Sequence, residues 1–214
     1  MTLLVDPPLL LPSALVAELQ AAYATPPRAY HAFSHVEEVL RQFALVAAGP
    51  GWRQPAEIYL AILYHDAIYA AGRRDNEERS AELALAAIGR FLPEANVDRA
   101  RVAALIRLTA RHGRLAVGEV DDEAALFLDC DMAILAAEPA VFDAYHRAIA
   151  IEYRGKLPGW LFEFNRRRFL KGLLAKERIF LSGFFHARLD AAARSNLQRA
   201  LQAPRSALRA GAGR

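Results

Sequence analysis

Helical patterning runs through almost the whole chain and strand-type alternation is nearly absent, which restricts the sequence to an all-α fold. Ser13 is placed to cap a first helix reaching about Tyr23, which Pro26 and Pro27 then stop. Ser34, with Glu37 three residues on, reads as a capping box ahead of Val36, Val39, Leu40 and Phe43. Pro55 suits the first turn of a third helix whose body, residues 58–71, is apolar nearly all round and is therefore expected to be buried. Asp75 with Glu78 forms a further capping box, opening a helix to about Leu92. Helical patterns follow near 94–111, 121–136, 139–154, 159–175 and 187–202, separated by Gly, Pro or charged breaks. The expectation is one all-α domain of about eight or nine helices over residues 1–202. Its working core spans about 28–136, a C-terminal helical extension spans about 139–202, and residues 203–214 form a flexible basic tail.

At 214 residues the chain can bury a sizeable core, and 54% apolar with 24% charged residues argues against extended disorder. A single cysteine, Cys130, excludes an intrachain disulfide framework and a cysteine-rich zinc site, and fits a reducing compartment. No uncharged apolar run approaches the ~18 residues of a membrane span. The start, MTLLVDPPLLLP, has no basic n-region, carries Asp6 and is broken by prolines, so it makes a poor signal peptide. A cytoplasmic protein with no membrane association is expected, as monomer or homodimer. The formal charge of +3 and pI near 9.2 raise the question of nucleic acid. Residues 203–214, however, hold Arg205, Arg209 and Arg214 and no acid, and without them basic and acidic residues are equal in number. The Arg166-Arg167-Arg168 run is the sole compact basic cluster and reads as a solvated helix face, so nucleic acid ranks last among partners.

The informative charges are those that interrupt apolar helices. From Ile58 to Gly72, His65 and Asp66 are the only ionisable groups apart from three tyrosines, and they fall in mid-pattern. An unpaired buried carboxylate costs several kcal/mol, so a cation, a metal or strong hydrogen bonds must compensate it. Asp129 and Asp131 interrupt a second apolar stretch, 125–135. Two residues on a helix subtend about 200°, so one carboxylate is expected to face a site while the other caps, pairs or meets solvent. His35 begins the helix after Ser34, His31 lies in the loop before it, and His112 sits in a helix's last turn with Gly113 closing it. No nucleophile elbow and no phosphate-cradling glycine loop is present.

The ordered set His35, His65-Asp66 and Asp131 on a helical background resembles the HD superfamily of metal-dependent phosphohydrolases. The likeness extends to Arg28-x-Tyr30-His31-x3-His35, Tyr64-His65-Asp66-x2-Tyr69, Asp75-Asn76-Glu77-Glu78-x-Ser80-Ala81, Thr109-x2-His112 and Leu128-Asp129-x-Asp131-x2-Ile134-Leu135. Ile151-Glu152-Tyr153, Phe169-Leu170 and Ala193-Arg194-x-Asn196-Leu197 continue it, so it covers about Arg28 to Leu197 and is similar to a short bacterial subgroup of predicted hydrolases. It implies an HD-type helical bundle in which His35, His65, Asp66 and Asp131 hold one divalent metal ion, with Asp129 the substitute for the last.

Two imidazoles and two carboxylates suit Mn, Fe, Co, Ni or Zn, with Mg also admitted. Such an ion lowers the pKa of bound water from 15.7 towards ~7–9 and polarises a phosphoryl oxygen. The resulting expectation is hydrolysis of a small phosphate ester or anhydride, a nucleotide among the candidates, with Asp66, His112 and Glu77 as candidate catalytic groups. His31, Arg28, Arg73, Arg74 and Lys156 are candidates for substrate binding, since arginine pairs with phosphate bidentately. Arg111 is a more distant candidate. The alternative is a non-catalytic module of the same fold that holds metal and senses a nucleotide.

Overall fold

The structure, a computed structural model, describes residues 7–24, 26 and 28–203. Among these it holds nine α-helices and one 3-10 turn, with no strand. They are α1 (Ser13–Ala24), α2 (Phe33–Ala47), α3 (Pro55–Tyr64), α4 (Asn76–Phe91), α5 (Arg99–Thr109), α6 (Asp122–Met132), the 3-10 turn (Ala133–Ala136), α7 (Pro139–Glu152), α8 (Gly159–Leu174) and α9 (Gly183–Gln202). The α3 helix is the axis of the bundle. No residue from Ile58 to Tyr64 is more than 1% exposed, and α2, α4 and α5 pack around it. Full burial of each large aliphatic there contributes about 1.5–3 kcal/mol. The apolar stripe of α2, Val36, Val39, Leu40, Phe43 and Val46, recurs at helical spacing and closes against α3 and α6.

The last helices share that core. Leu170 and Leu173 of α8 and Phe185, Ala193 and Leu197 of α9 belong to the same buried cluster as α3. The α9 helix lies along the 3-10 turn, and Asn196 Nδ2 donates to the carbonyls of Leu135 (3.0 Å) and Ala137 (2.8 Å), satisfying the end of that turn. Asp129 anchors the start of α9. Its carboxylate accepts from Leu181 N–H (2.8 Å), Ser182 N–H (2.7 Å) and the Ser182 hydroxyl (2.6 Å), while Ser182 Oγ caps α9 by accepting from Phe185 N–H. Burial pushes the Asp129 carboxyl up to about 6 despite these donors. Asp129 is therefore the capping member of the aspartate pair.

Several local expectations are corrected. Residues 58–71 do not form one helix: α3 stops at Tyr64, and His65 and Asp66 turn out of it. Side chains take over the backbone partners that the next turn of helix would have used. Ser80 Oγ accepts from Ile68 N–H (3.0 Å) and donates to Ile68 O (3.1 Å), and the Asn76 amide pairs with both backbone groups of Ala70. Neither capping box forms. The N-cap of α2 is Ala32, with Ser34 already inside the helix, because Glu152 holds the preceding residues by their N–H groups. Asp75 stands at the N-cap of α4 but pairs with Arg73, and Glu78 pairs with Arg107, so arginines outcompete the backbone.

The α5 helix starts at Arg99, not near 94, because Asp98 caps it through Arg101 N–H (3.0 Å). The α9 helix starts four residues before the expected 187, at the Ser182 cap. The stop at Pro27 and the tail from 204 onward lie outside the described residues.

Replacing Asp129 by Ala strands two backbone N–H groups and a hydroxyl around a carboxylate that is 1% exposed. A loss of about 3 kcal/mol is expected in urea unfolding; a loss below ~0.5 kcal/mol would show that the start of α9 does not depend on it.

Candidate metal centre

Three helix ends deliver the cluster. His35 stands in the first turn of α2, His65 and Asp66 follow the last residue of α3, and Asp131 comes from the last turn of α6. His35 and His65 are 4% and 2% exposed, and the two Nε2 atoms face each other at 3.1 Å. Asp66 Oδ2 lies 3.1 Å from His65 Nε2 and 3.7 Å from His35 Nε2. Asp131 Oδ1 lies 3.0 Å from His35 Nε2 and 3.7 Å from His65 Nε2. His65 Nδ1 can only donate to the carbonyl of Ile62 (2.8 Å), which leaves its Nε2 to face the cluster.

The three separations of 3.0–3.1 Å are those of neighbouring ligands around one ion. Metal bonds of ~2.1 Å place adjacent donors about 3.0–3.4 Å apart in octahedral or tetrahedral geometry. Two imidazole nitrogens facing each other at 3.1 Å need a proton or a metal ion between them. His35, His65 and Asp66 form a group that could hold a metal ion.

The electrostatics agree with a cation-binding pocket. Burial works against charge on His65, but Asp66 and Asp131 override it and lift its pKa to about 9. Burial likewise opposes ionisation of Asp66, yet His65, His31 and His35 hold it well below the usual carboxylate range. Asp131 is held down by His112 and His35 against the same penalty. His112 Nδ1 sits 2.8 Å from Asp131 Oδ2, the oxygen turned away from His35. His112 does not lie in a helix: α5 ends at Thr109, and His112 follows in a turn. Gly113 next to it has no left-handed backbone and closes no helix. A Cβ there would come within 2.7 Å of Phe169, so the glycine admits the Phe169 ring.

The cluster floors a cavity of about 310 Å³, whose lining includes His31, Glu77, Arg111, His112 and Arg166 together with tyrosine rings. His31 stacks on Tyr69 with ring centres 3.9 Å apart, and its Nδ1 lies 2.6 Å from Glu152 Oε2. Glu152 Oε1 also accepts from the N–H groups of Tyr30 (2.7 Å) and His31 (3.0 Å), so one carboxylate holds both residues.

Of the basic candidates, Arg28 is near the cluster but not free for a substrate. It donates to the carbonyls of Ala22 (3.0 Å), His31 (3.0 Å), Asp66 (2.6 Å) and Ala67 (2.9 Å), and so holds the turn that carries Asp66. Arg73, Arg74 and Lys156 are exposed and do not line the cavity. Arg73 is engaged by Asp75.

Two residues escaped the sequence reading. Arg166 looked like part of a solvated run, yet its guanidinium lies over the rings of Tyr145 (5.0 Å) and Phe169 (5.4 Å), and its buried Nε and Nη2 have no hydrogen-bond partner. The pointer was the adjacent Phe169-Leu170, which turns that face of α8 inward. Glu152 ends α7, where the helix dipole disfavours an anion, and that misplacement marks a tertiary role.

A proton and a metal ion compete for His65 Nε2. With its pKa raised, protonated His65 contributes stability below the unfolded value of ~6.5 that is lost as pH rises through about 9. Uptake of one divalent ion at pH 7.5 is therefore expected to release about one proton, with apparent affinity climbing towards pH 9. Titration in weakly buffered solution reads this directly, and uptake without proton release would contradict it. Arg28→Ala is expected to cost about 2–4 kcal/mol in urea unfolding and to weaken metal binding, with Arg28→Lys recovering less than half because an ammonium cannot span four carbonyls. Equal stability of Arg28→Lys and the parent would remove the fork from the account.

No protein-family model, curated protein or solved structure matches the chain.

Proposed function

We propose that the protein is a metal-dependent phosphohydrolase of the HD type, acting on a small phosphate ester or anhydride. The observation that carries this reading is that Asp66 and Asp131 each lie 3.0–3.7 Å from the facing His35 and His65 nitrogens, beside a cavity that also holds an arginine with unpaired donors. The four residues, with Asp131 as the last and Asp129 spent on α9, are the ligands. A divalent ion held there supplies Lewis acidity and a water acidic enough to ionise near neutrality.

The chain's own groups supply the rest. Asp131 divides its carboxylate, one oxygen toward the histidine pair and one toward His112, so His112 is positioned beside the reacting centre with a proton to give or take. His31, fixed by Glu152 and Tyr69, and Glu77 on the cavity wall are further groups within reach of a bound phosphate. Arg166 offers the edge of its guanidinium to phosphoryl oxygens, the part first assigned to Arg28, Arg73, Arg74 and Lys156. A cavity of about 310 Å³ admits a small substrate, a mononucleotide or sugar phosphate included.

The test is turnover of nucleotides, phosphosugars and pyrophosphate by protein prepared with Mn, Co, Ni or Zn. Asp66→Ala is expected to lower turnover by ~10³-fold or more with helicity unchanged, and Arg166→Ala to lower kcat/KM by ~10²-fold. About one metal per chain with no turnover on the panel would replace hydrolysis by phosphate sensing. Less than ~0.2 metal per chain after supplementation would overturn both.

A further inference from the structure

A second cavity, of about 200 Å³, lies among α7, α8 and α9, and Arg166 lines both it and the cavity at the cluster. Its charge is one-sided. Arg147, Arg166, Arg167 and Arg199 face Asp143 and Glu163. Arg199 is taken by Asp143, with both carboxylate oxygens within 2.8 Å of Nη1, and Arg167 Nη2 donates to Leu201 O (2.7 Å). Arg147 is exposed and enters no ion pair among the described residues.

His146, at the same cavity, has a buried Nδ1 without a hydrogen-bond partner. Burial and the neighbouring Arg166 lower its pKa to about 4 against the pull of Asp143, so the ring is neutral at pH 7. Nε and Nη2 of Arg166, which lines both cavities, also lack partners. Each such group costs about 1–3 kcal/mol if left unsatisfied, and native proteins keep few of them. Leu170, Ala200 and Ala203 provide an apolar flank.

We infer that this cavity binds a small oxyanion, a phosphate-type or carboxylate group with an apolar substituent, through Arg147, Arg166 and His146. The site is separate from the metal cluster, and its occupancy does not require metal. It places acceptor oxygens beside His146 Nδ1, with Arg166 shared between the two cavities and Arg147 as the entrance charge.

The experiment follows arginine side-chain and backbone signals in 1H–15N NMR spectra of the full chain, titrated with sulfate or with butyrate at ionic strength held constant by chloride. Saturable shifts in α7 and α8 with either probe are expected, sulfate marking a phosphate-type ligand and butyrate a carboxylate. The Arg147→Glu variant, altered at an exposed position, should weaken binding ~10-fold or more, and Arg166→Gln should abolish it. Asp66→Ala should leave it unchanged. Absence of saturable shifts with both probes, full binding by Arg147→Glu, or loss of binding in Asp66→Ala would each overturn the assignment. The last outcome would place the ion at the metal cluster instead.

Discussion

A helix that ends inside an apolar core must satisfy its last carbonyls and the first turn beyond it without water, and most of the site follows from that requirement. The α3 helix is buried on every side up to Tyr64 and then stops. Arg28 collects the carbonyls of Asp66 and Ala67, Ser80 services Ile68 and Asn76 services Ala70. Because these side chains take the backbone, the chain turns sharply at His65 and Asp66 and delivers both to one point. The helix end and the candidate metal centre are thus one structural problem with one solution.

The same economy appears in the flanking elements. Asp129 and Asp131 leave α6 in opposite directions, one holding the start of α9 and the other reaching the histidines. Glu152 holds Tyr30 and His31, and His31 lies against Tyr69. In each case a carboxylate makes a contact far along the chain, and Tyr30, His31 and the start of α9 are thereby held by partners from other elements.

This explains how much could be read from the residues alone. The all-helical architecture was legible because apolar spacing is a local property, and the charges of His65, Asp66 and the 129–131 pair stood out against it. The angular argument about Asp129 and Asp131 needed only helical geometry. The capping boxes at Ser34 and Asp75 failed because their competitors, Glu152 for the first and Arg73 and Arg107 for the second, include partners that local sequence does not announce. Arg28 and Arg166 depart from their expected places for a related reason. Proximity in sequence suggested Arg28 for a ligand, whereas the fold spends it on backbone and brings a helix from far along the chain to the cavity.

The long reach of Glu152 has a consequence for how the chain matures. All four cluster residues have been synthesised by Asp131, yet the wall beside them is clamped only when Glu152 arrives, and the carboxylate next to Asp131 meets its partners only at Leu181 and Ser182. A nascent chain therefore carries every residue of the cluster well before it carries these contacts. Final assembly waits for α7 and the start of α9, which are synthesised after the cluster residues.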